Sequence, residues 1–156
     1  MTTKEKLLAL LEDSKGTFFS GEEIARTLQV SRAAVWKAVN ALREDGYTID
    51  AATNKGYRLS PDSDILSPQG IRRFLKPEYR DLDLTVLPTA PSTNALVREK
   101  ANQGRPEGCV IIACEQTAGR GRYGRQFFSP VDSGVYLSLL LRPTAYSPQQ
   151  ATCLTA

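Results

Sequence analysis

The sequence predicts a mixed α+β fold in two parts: a winged helix-turn-helix over residues 1–60 and, beyond a linker at 61–67, an α/β domain over 68–156. Three observations carry this. Two capped helical segments follow one another with only Gln29 and Val30 between them, the tight spacing of a helix-turn-helix. Two extended segments flank Asn54-Lys55-Gly56, a hairpin turn signal. Strand-length apolar runs at Cys109–Ala113 and Gly134–Leu141 lie downstream of a helical stretch that begins after Ser92.

Each element has a local cause. Leu7, Leu8, Leu10 and Leu11 recur at helical spacing behind Thr3, which is the expected cap of the first helix. Ser20 and Glu23 form a capping box ahead of Ile24, Ala25 and Leu28. Ser31 caps a third helix with Val35, Val39 and Leu42 on one face, and Gly46 stops it. Off that apolar stripe lie Arg32, Ala33, Lys37, Asn40 and Arg43. With Ser31 at the cap and Lys55 on the wing they combine phosphate-seeking cations with groups that reach base edges, so DNA binding is expected. The same charges also suit a solvated face or a protein-binding winged helix. Trp36 is read as packing at the helix edge rather than stacking on a base.

The segment SPDSDILSP, residues 60–68, has the Pro, Ser and Asp content of an exposed joint. Ser67-Pro68 then reads as an N-cap and first helical position, with a stop before Pro77. Asp83–Leu87 is a strand candidate, and Ser92, Thr93 and Asn94 stand at the mouth of a helix ending near Gly104. The unbroken apolar run Cys109–Ala113 suits a central strand covered on both faces. A last helix is expected from Ser147-Pro148.

Composition narrows the chemistry. The 156 residues contain 41% hydrophobic residues, enough for a real core, and a formal charge of only +3 from 20 basic and 17 acidic residues. Placement of charge therefore matters more than its sum. There is no histidine, which removes the common general base and transition-metal ligand, and no metal site is expected. Three separated cysteines fit reduced thiols and a cytoplasmic protein. No apolar run approaches the roughly 20 residues of a membrane span, and no membrane partner is expected.

GRGRYGRQFFSP, residues 119–130, superficially spells the dinucleotide fingerprint G-x-G-x-x-G. That motif must open a helix and be followed about 20 residues later by an acidic group. Here it is followed by Gln126-Phe127-Phe128-Ser129-Pro130 and another strand, so the spacing is coincidental. Glycines that let the backbone close on a ligand, beside Arg120, Arg122 and Arg125, describe an anion clamp instead.

The string EQTAGRGRYGRQFFSP, the upstream Ser92-Thr93-Asn94, SRAAVWK in the winged helix and GVYLSLLLRP together resemble the bifunctional biotin protein ligases that double as biotin operon repressors. The resemblance implies an α/β ligase domain with a mixed sheet, which makes biotinyl-5'-AMP from biotin and ATP with Mg²⁺. Biotin then passes to a lysine of a biotin carboxyl carrier protein. It further implies that the adenylate is a corepressor, favouring a homodimer on operator DNA. By the same resemblance Ser92, Thr93, Asn94, Gln116, Arg120, Gly121, Arg122 and Phe127 border biotin and adenylate, and Arg120 and Arg122 carry catalytic charge neutralisation. Ser92–Asn94 equally serves as a plain helix cap. A sensor without chemistry and a ligase for lipoate remain alternatives. Since the family continues to a later catalytic lysine and a C-terminal β-barrel, the chain reads as an N-terminal fragment.

Overall fold

A computed structural model describes residues 1–121, 123, 125–131, 133–143, 147 and 150. The helix expected from Ser147-Pro148 lies outside the described residues. The chain divides into two compact units, Met1–Arg80 and Asp81–Ala156. Among the described residues no helix is long and apolar enough to cross a membrane.

The first unit opens with α1 (Thr3–Asp13), α2 (Gly21–Leu28) and α3 (Arg32–Glu44). Thr2, not Thr3, caps α1. Its extended backbone lets the hydroxyl accept from Glu5 N at 3.2 Å while the Glu5 carboxylate accepts from Thr2 N at 2.7 Å. The complete capping box therefore sits here. At α2, Ser20 accepts from Glu23 N at 3.0 Å, the cap half of the box expected there. Ser31 caps α3 through Ala34 N. Leu7, Leu11, Ile24, Val35, Val39, Leu42 and Leu59 are buried to within 1% and form the centre of one apolar core.

Strands β1 (Ile49–Ala52) and β2 (Gly56–Leu59) pair antiparallel as the wing, with Ala52 opposite Gly56. The expected turn falls at Asn54 (φ 62°) and Gly56 (φ 95°). Phe19 and Tyr57 exchange backbone hydrogen bonds at 2.9 and 2.8 Å, tying the wing to the α1–α2 connection. At this crossing a Cβ on Gly56 would lie 2.0 Å from the Phe19 carbonyl oxygen.

Helix α4 (Pro68–Phe74), capped by Ser67 with Pro68 at its start, packs on α1. Sequence composition assigned this helix to the second domain. In the structure it clusters with Met1–Arg80, where two polar contacts tie the helix and its cap to α1 and a third holds the segment before it. Ser67 Oγ donates to Glu12 Oε1 at 3.4 Å, Arg73 donates to the Glu12 carbonyl at 2.7 Å, and Lys15 Nζ donates to the Ser63 carbonyl. The segment read as a loose linker is thus fixed along α1 by side chains far away in sequence.

In the second unit β3 (Asp83–Ala90), α5 (Thr93–Asn102) and β4 (Cys109–Gln116) form a strand-helix-strand unit. β3 and β4 are parallel, with Asp83 opposite Cys109 and Ala90 opposite Gln116. β5 (Tyr136–Leu139) pairs antiparallel with β4, completing a mixed sheet of order β3-β4-β5. The central place of β4 explains its unbroken apolar run, buried from Cys109 to Ala113. α5 packs across β4 and β5, where Val97, Cys109, Ile111 and Leu140 make a small core.

Gly56→Ala should destabilise the first unit by about 3 kcal/mol or more, combining backbone strain with the collision at Phe19. Gly46→Ala is its control: φ is 92° but the nearest atom is a methyl of Ile65 at 3.4 Å, so only strain of about 1–2 kcal/mol is expected. Urea unfolding followed by far-UV circular dichroism measures both.

Candidate functional site

Two surfaces collect the functional side chains, one in each unit. In the second, a cleft of about 710 Å³ opens at the carboxyl ends of β3 and β4, where ligands of open α/β sheets bind. Parallel pairing brings Ala90 beside Gln116, so the start of α5 and the exit of β4 converge. Ser92, Thr93, Asn94, Gln116, Arg120, Gly121 and Phe127, separated by up to 35 positions in sequence, all line this cleft. Arg122 lies outside the described residues.

Gln116 organises the floor. Its Oε1 accepts from Thr93 N at 2.8 Å and from the Thr93 hydroxyl at 3.2 Å, while Nε2 donates to Ser129 Oγ at 3.4 Å. Two donors facing one oxygen leave the amide a single orientation. Ser138 on β5 donates to Thr93 Oγ1 at 3.0 Å, and Ser129 donates to the Phe127 carbonyl at 3.1 Å. Thr93 and Ser129 are each 3% exposed. Thr93 is thus turned toward its protein partners, and Asn94, exposed on the first turn of α5, presents its amide to the cleft.

The arginine loop folds back on itself. Phe127 N donates to the Gly119 carbonyl at 2.9 Å, and Gly121 N donates to the Arg125 carbonyl at 2.8 Å. The chain returns to β4 where Gln116 N donates to the Ser129 carbonyl at 3.0 Å. Gly119 permits the return: a Cβ there would sit 2.8 Å from the Phe127 oxygen and 2.9 Å from Ser129 Oγ. After the loop come a bridge at Ser129 and β5, not a helix, in keeping with rejection of the dinucleotide motif. Arg120 is exposed at the cleft and makes no ion pair among the described residues, so its five N–H donors face the lumen or solvent. Phe127 meets Tyr136 edge to face at 6.2 Å, and Val135, Tyr136 and Leu137 supply an apolar wall. Arginine beside amides and an apolar wall suits a small organic anion with a hydrophobic body.

Sequence reasoning missed Ser129, Ser138 and the Val135–Leu137 wall. Ser138 carried a signal, as the polar residue inside GVYLSLLL. Ser129 carried none, since its role depends on the loop returning to Gln116.

In the first unit, a second cleft of about 740 Å³ runs between the starts of α2 and α3 and the wing. Arg32, Ala33 and Lys37 are exposed on α3, and Asn40 is half-buried. Ser31 is occupied as a cap. Arg43, also exposed, is engaged within the unit: its Nε and one terminal N donate to the Ile49 carbonyl at 3.1 and 2.7 Å, bracing α3 against β1. On the wing Arg58 pairs with Asp50 at 2.8 Å and stacks 4.6 Å from the Phe18 ring centre, with Lys55 Nζ at 5.9 Å from the same ring. Trp36 is not packed at the helix edge. It is 58% exposed and lines the cleft, because Val35, Ala38, Val39 and Leu42 already fill the core side of α3.

Residues 3–58 match the HTH domain family and residues 86–156 the Biotin/lipoate A/B protein ligase family. The chain is 40% identical over 142 residues to the "Bifunctional ligase/repressor BirA" of Bacillus subtilis (strain 168), 91% of this chain and 44% of that protein. It is 37% identical to the protein of the same name from Escherichia coli (strain K12), over 90% of this chain and 42% of the relative, and 36% identical to that of Salmonella typhimurium, over 87% and 40%. The chain therefore spans less than half the length of these curated relatives.

Gln116→Ala should lower the thermal midpoint of the second unit, because it strips the buried Thr93 N–H of its acceptor at a cost of about 1–3 kcal/mol. Gln116→Glu keeps that acceptor and should retain most of the stability. Circular dichroism melts of the two variants test the brace.

Proposed function

We propose, for a chain whose two segments match the HTH domain family and the biotin/lipoate A/B protein ligase family, that it forms part of a two-function protein. That protein activates biotin with ATP to biotinyl-5'-AMP, transfers biotin to a lysine of a biotin carboxyl carrier protein, and represses transcription at operator DNA in the cytoplasm. The observation that carries the reading is the meeting of Ser92–Asn94, Gln116, Arg120 and Gly121 in one cleft of ligand size at the ends of two parallel strands.

The residues suit the reaction. Attack of a carboxylate on the α-phosphorus of ATP joins two anions, so it depends on positioning and on neutralised charge rather than on a histidine base. In this reading Arg120 and Arg122 hold the carboxylate and the phosphoryl oxygens, and Mg²⁺ enters on the nucleotide phosphates. Thr93 and Gln116 fix the floor, Asn94 and the free N–H of Gln116 orient the polar ring of biotin, and Val135, Leu137 and Phe127 cover its apolar body. Closing such a site also protects the mixed anhydride from water. Adenylate bound between these groups would favour a homodimer whose two winged helices meet a palindromic operator, with Arg32, Ala33, Lys37, Asn40 and Lys55 at the DNA.

The family description covers lipoate as well as biotin, so the test includes both acids. The complete protein, given biotin, ATP and Mg²⁺, should form biotinyl-5'-AMP and label the acceptor lysine, with labelled biotin resisting competition by lipoate. Formation of neither product would leave a ligand sensor. Arg120→Ala should speed adenylate escape by the equivalent of about 1.5–3 kcal/mol, the worth of a hydrogen bond to a charged group. Unchanged retention would remove Arg120 from the clamp.

A further inference from the structure

Trp36 is the chain's single tryptophan, and the structure leaves it where no packing requires it. A tryptophan buries 150–250 Å² when packed and is among the most strongly apolar side chains. On α3 the core side is complete without it, and the ring stands at the wall of the helix-wing cleft, more than half exposed. Arg32 lies one turn before it on the same row of the helix and Lys37 directly after it, while Ala33 leaves room beside the ring. Ala51, Ala52, Thr53 and Asn54 of the wing form the facing wall, and Glu22 is the cleft's acidic member.

An apolar ring sharing its cleft with Arg32, on a helix whose next residue is the exposed Lys37, asks for a partner that carries dense negative charge and still displays apolar groups. A protein helix or a second copy of this chain would cover the ring but leave Arg32 and Lys37 to find carboxylates. Duplex DNA satisfies both, because its phosphates meet the cations and its major groove, which admits an α-helix, displays one apolar group, the thymine C5-methyl. Resting on the DNA-binding reading above, we infer that Trp36 is a specificity-determining residue that contacts a thymine methyl in the major groove beside the phosphate contacts of Arg32 and Lys37.

The cations bind every sequence by releasing counterions, so they set a salt slope. Trp36 releases none. Its removal should therefore weaken binding to the preferred site and leave the slope unchanged, whereas Lys37→Ala should lower the slope by about one at every sequence. The indole also reports on itself through the emission that wild type shows and Trp36→Ala lacks.

The experiment enriches a random-sequence duplex pool for binders with the complete protein in the presence of biotin, ATP and Mg²⁺, in parallel for wild type, Trp36→Ala and Trp36→Phe, and measures affinities by anisotropy of labelled duplex across a salt series. Trp36→Ala, an exposed change to a better helix former, should keep the wild-type circular dichroism spectrum. The inference expects a thymine preference at one or more positions that Trp36→Ala loses, at about tenfold in affinity for a single base pair, and that Trp36→Phe keeps. Replacing that thymine by deoxyuridine, which lacks the methyl, should weaken wild type and leave Trp36→Ala unaffected. Duplex should also quench the Trp36 emission of wild type. DNA binding with emission unmoved, or a Trp36→Ala variant that selects the same sites, overturns the inference and leaves the DNA-binding reading intact. A uniform loss of affinity over all sequences also overturns it, since that would make the indole a backbone contact. Absence of any DNA binding overturns both.

Discussion

Gln116 is the point on which the second unit's architecture turns. Parallel pairing of β3 with β4 sets it opposite Ala90, and three kinds of bond converge there: acceptance from Thr93, donation of the side chain to Ser129, and donation of its backbone N–H to the Ser129 carbonyl. The first ties the start of α5 to the end of β4, and the others bring the arginine loop back to the strand it left. With both ends of the loop fixed at one residue, Arg120 is held at the cleft without an ion pair of its own among the described residues. A buried polar network of this kind is stabilising only when its members are satisfied; no described buried side-chain N or O atom here lacks a partner.

The first unit separates support from contact in a similar way. Arg43 and Arg58, as basic as their neighbours, are engaged locally: Arg43 braces α3 against the Ile49 carbonyl of β1, and Arg58 pairs across the wing with Asp50 and stacks on Phe18. The Phe19–Tyr57 exchange needs the bare backbone of Gly56 and fixes the wing beside α2. Exposed on the first two turns of α3 are Arg32, Ala33, Trp36 and Lys37, a short surface combining charge with one large apolar ring. Charge counts taken from sequence treat all these cations alike, and geometry divides them by whether a local acceptor has already claimed their donors.

The absence of histidine shapes the chemistry that the cleft is proposed to perform. Acyl-adenylate formation demands alignment of two anions and a dry place to hold the product, and both tasks fall to guanidinium, amide and apolar groups that change little with pH near neutrality.

The sequence by itself determined the local elements. Caps at Ser20, Ser31, Ser67 and Ser92, the apolar spacing of α1–α3, the turn at Asn54–Gly56 and the solid run of β4 are each set by neighbours a few residues away, and so they were legible as a string. Gly119-x-Gly121 could likewise be separated from a dinucleotide motif, because Phe127, Phe128 and Pro130 lead from it into a strand instead of a helix. Tertiary structure alone decided the packing of α4 on α1, the bracing of Arg43 against β1, the exposure of Trp36 and the roles of Ser129 and Ser138. Apart from the exposure of Trp36, these depend on hydrogen-bond partners 6 to 61 positions away. Strand register and helix packing, not local preference, choose which donor meets which acceptor and which side of a helix the core has already filled.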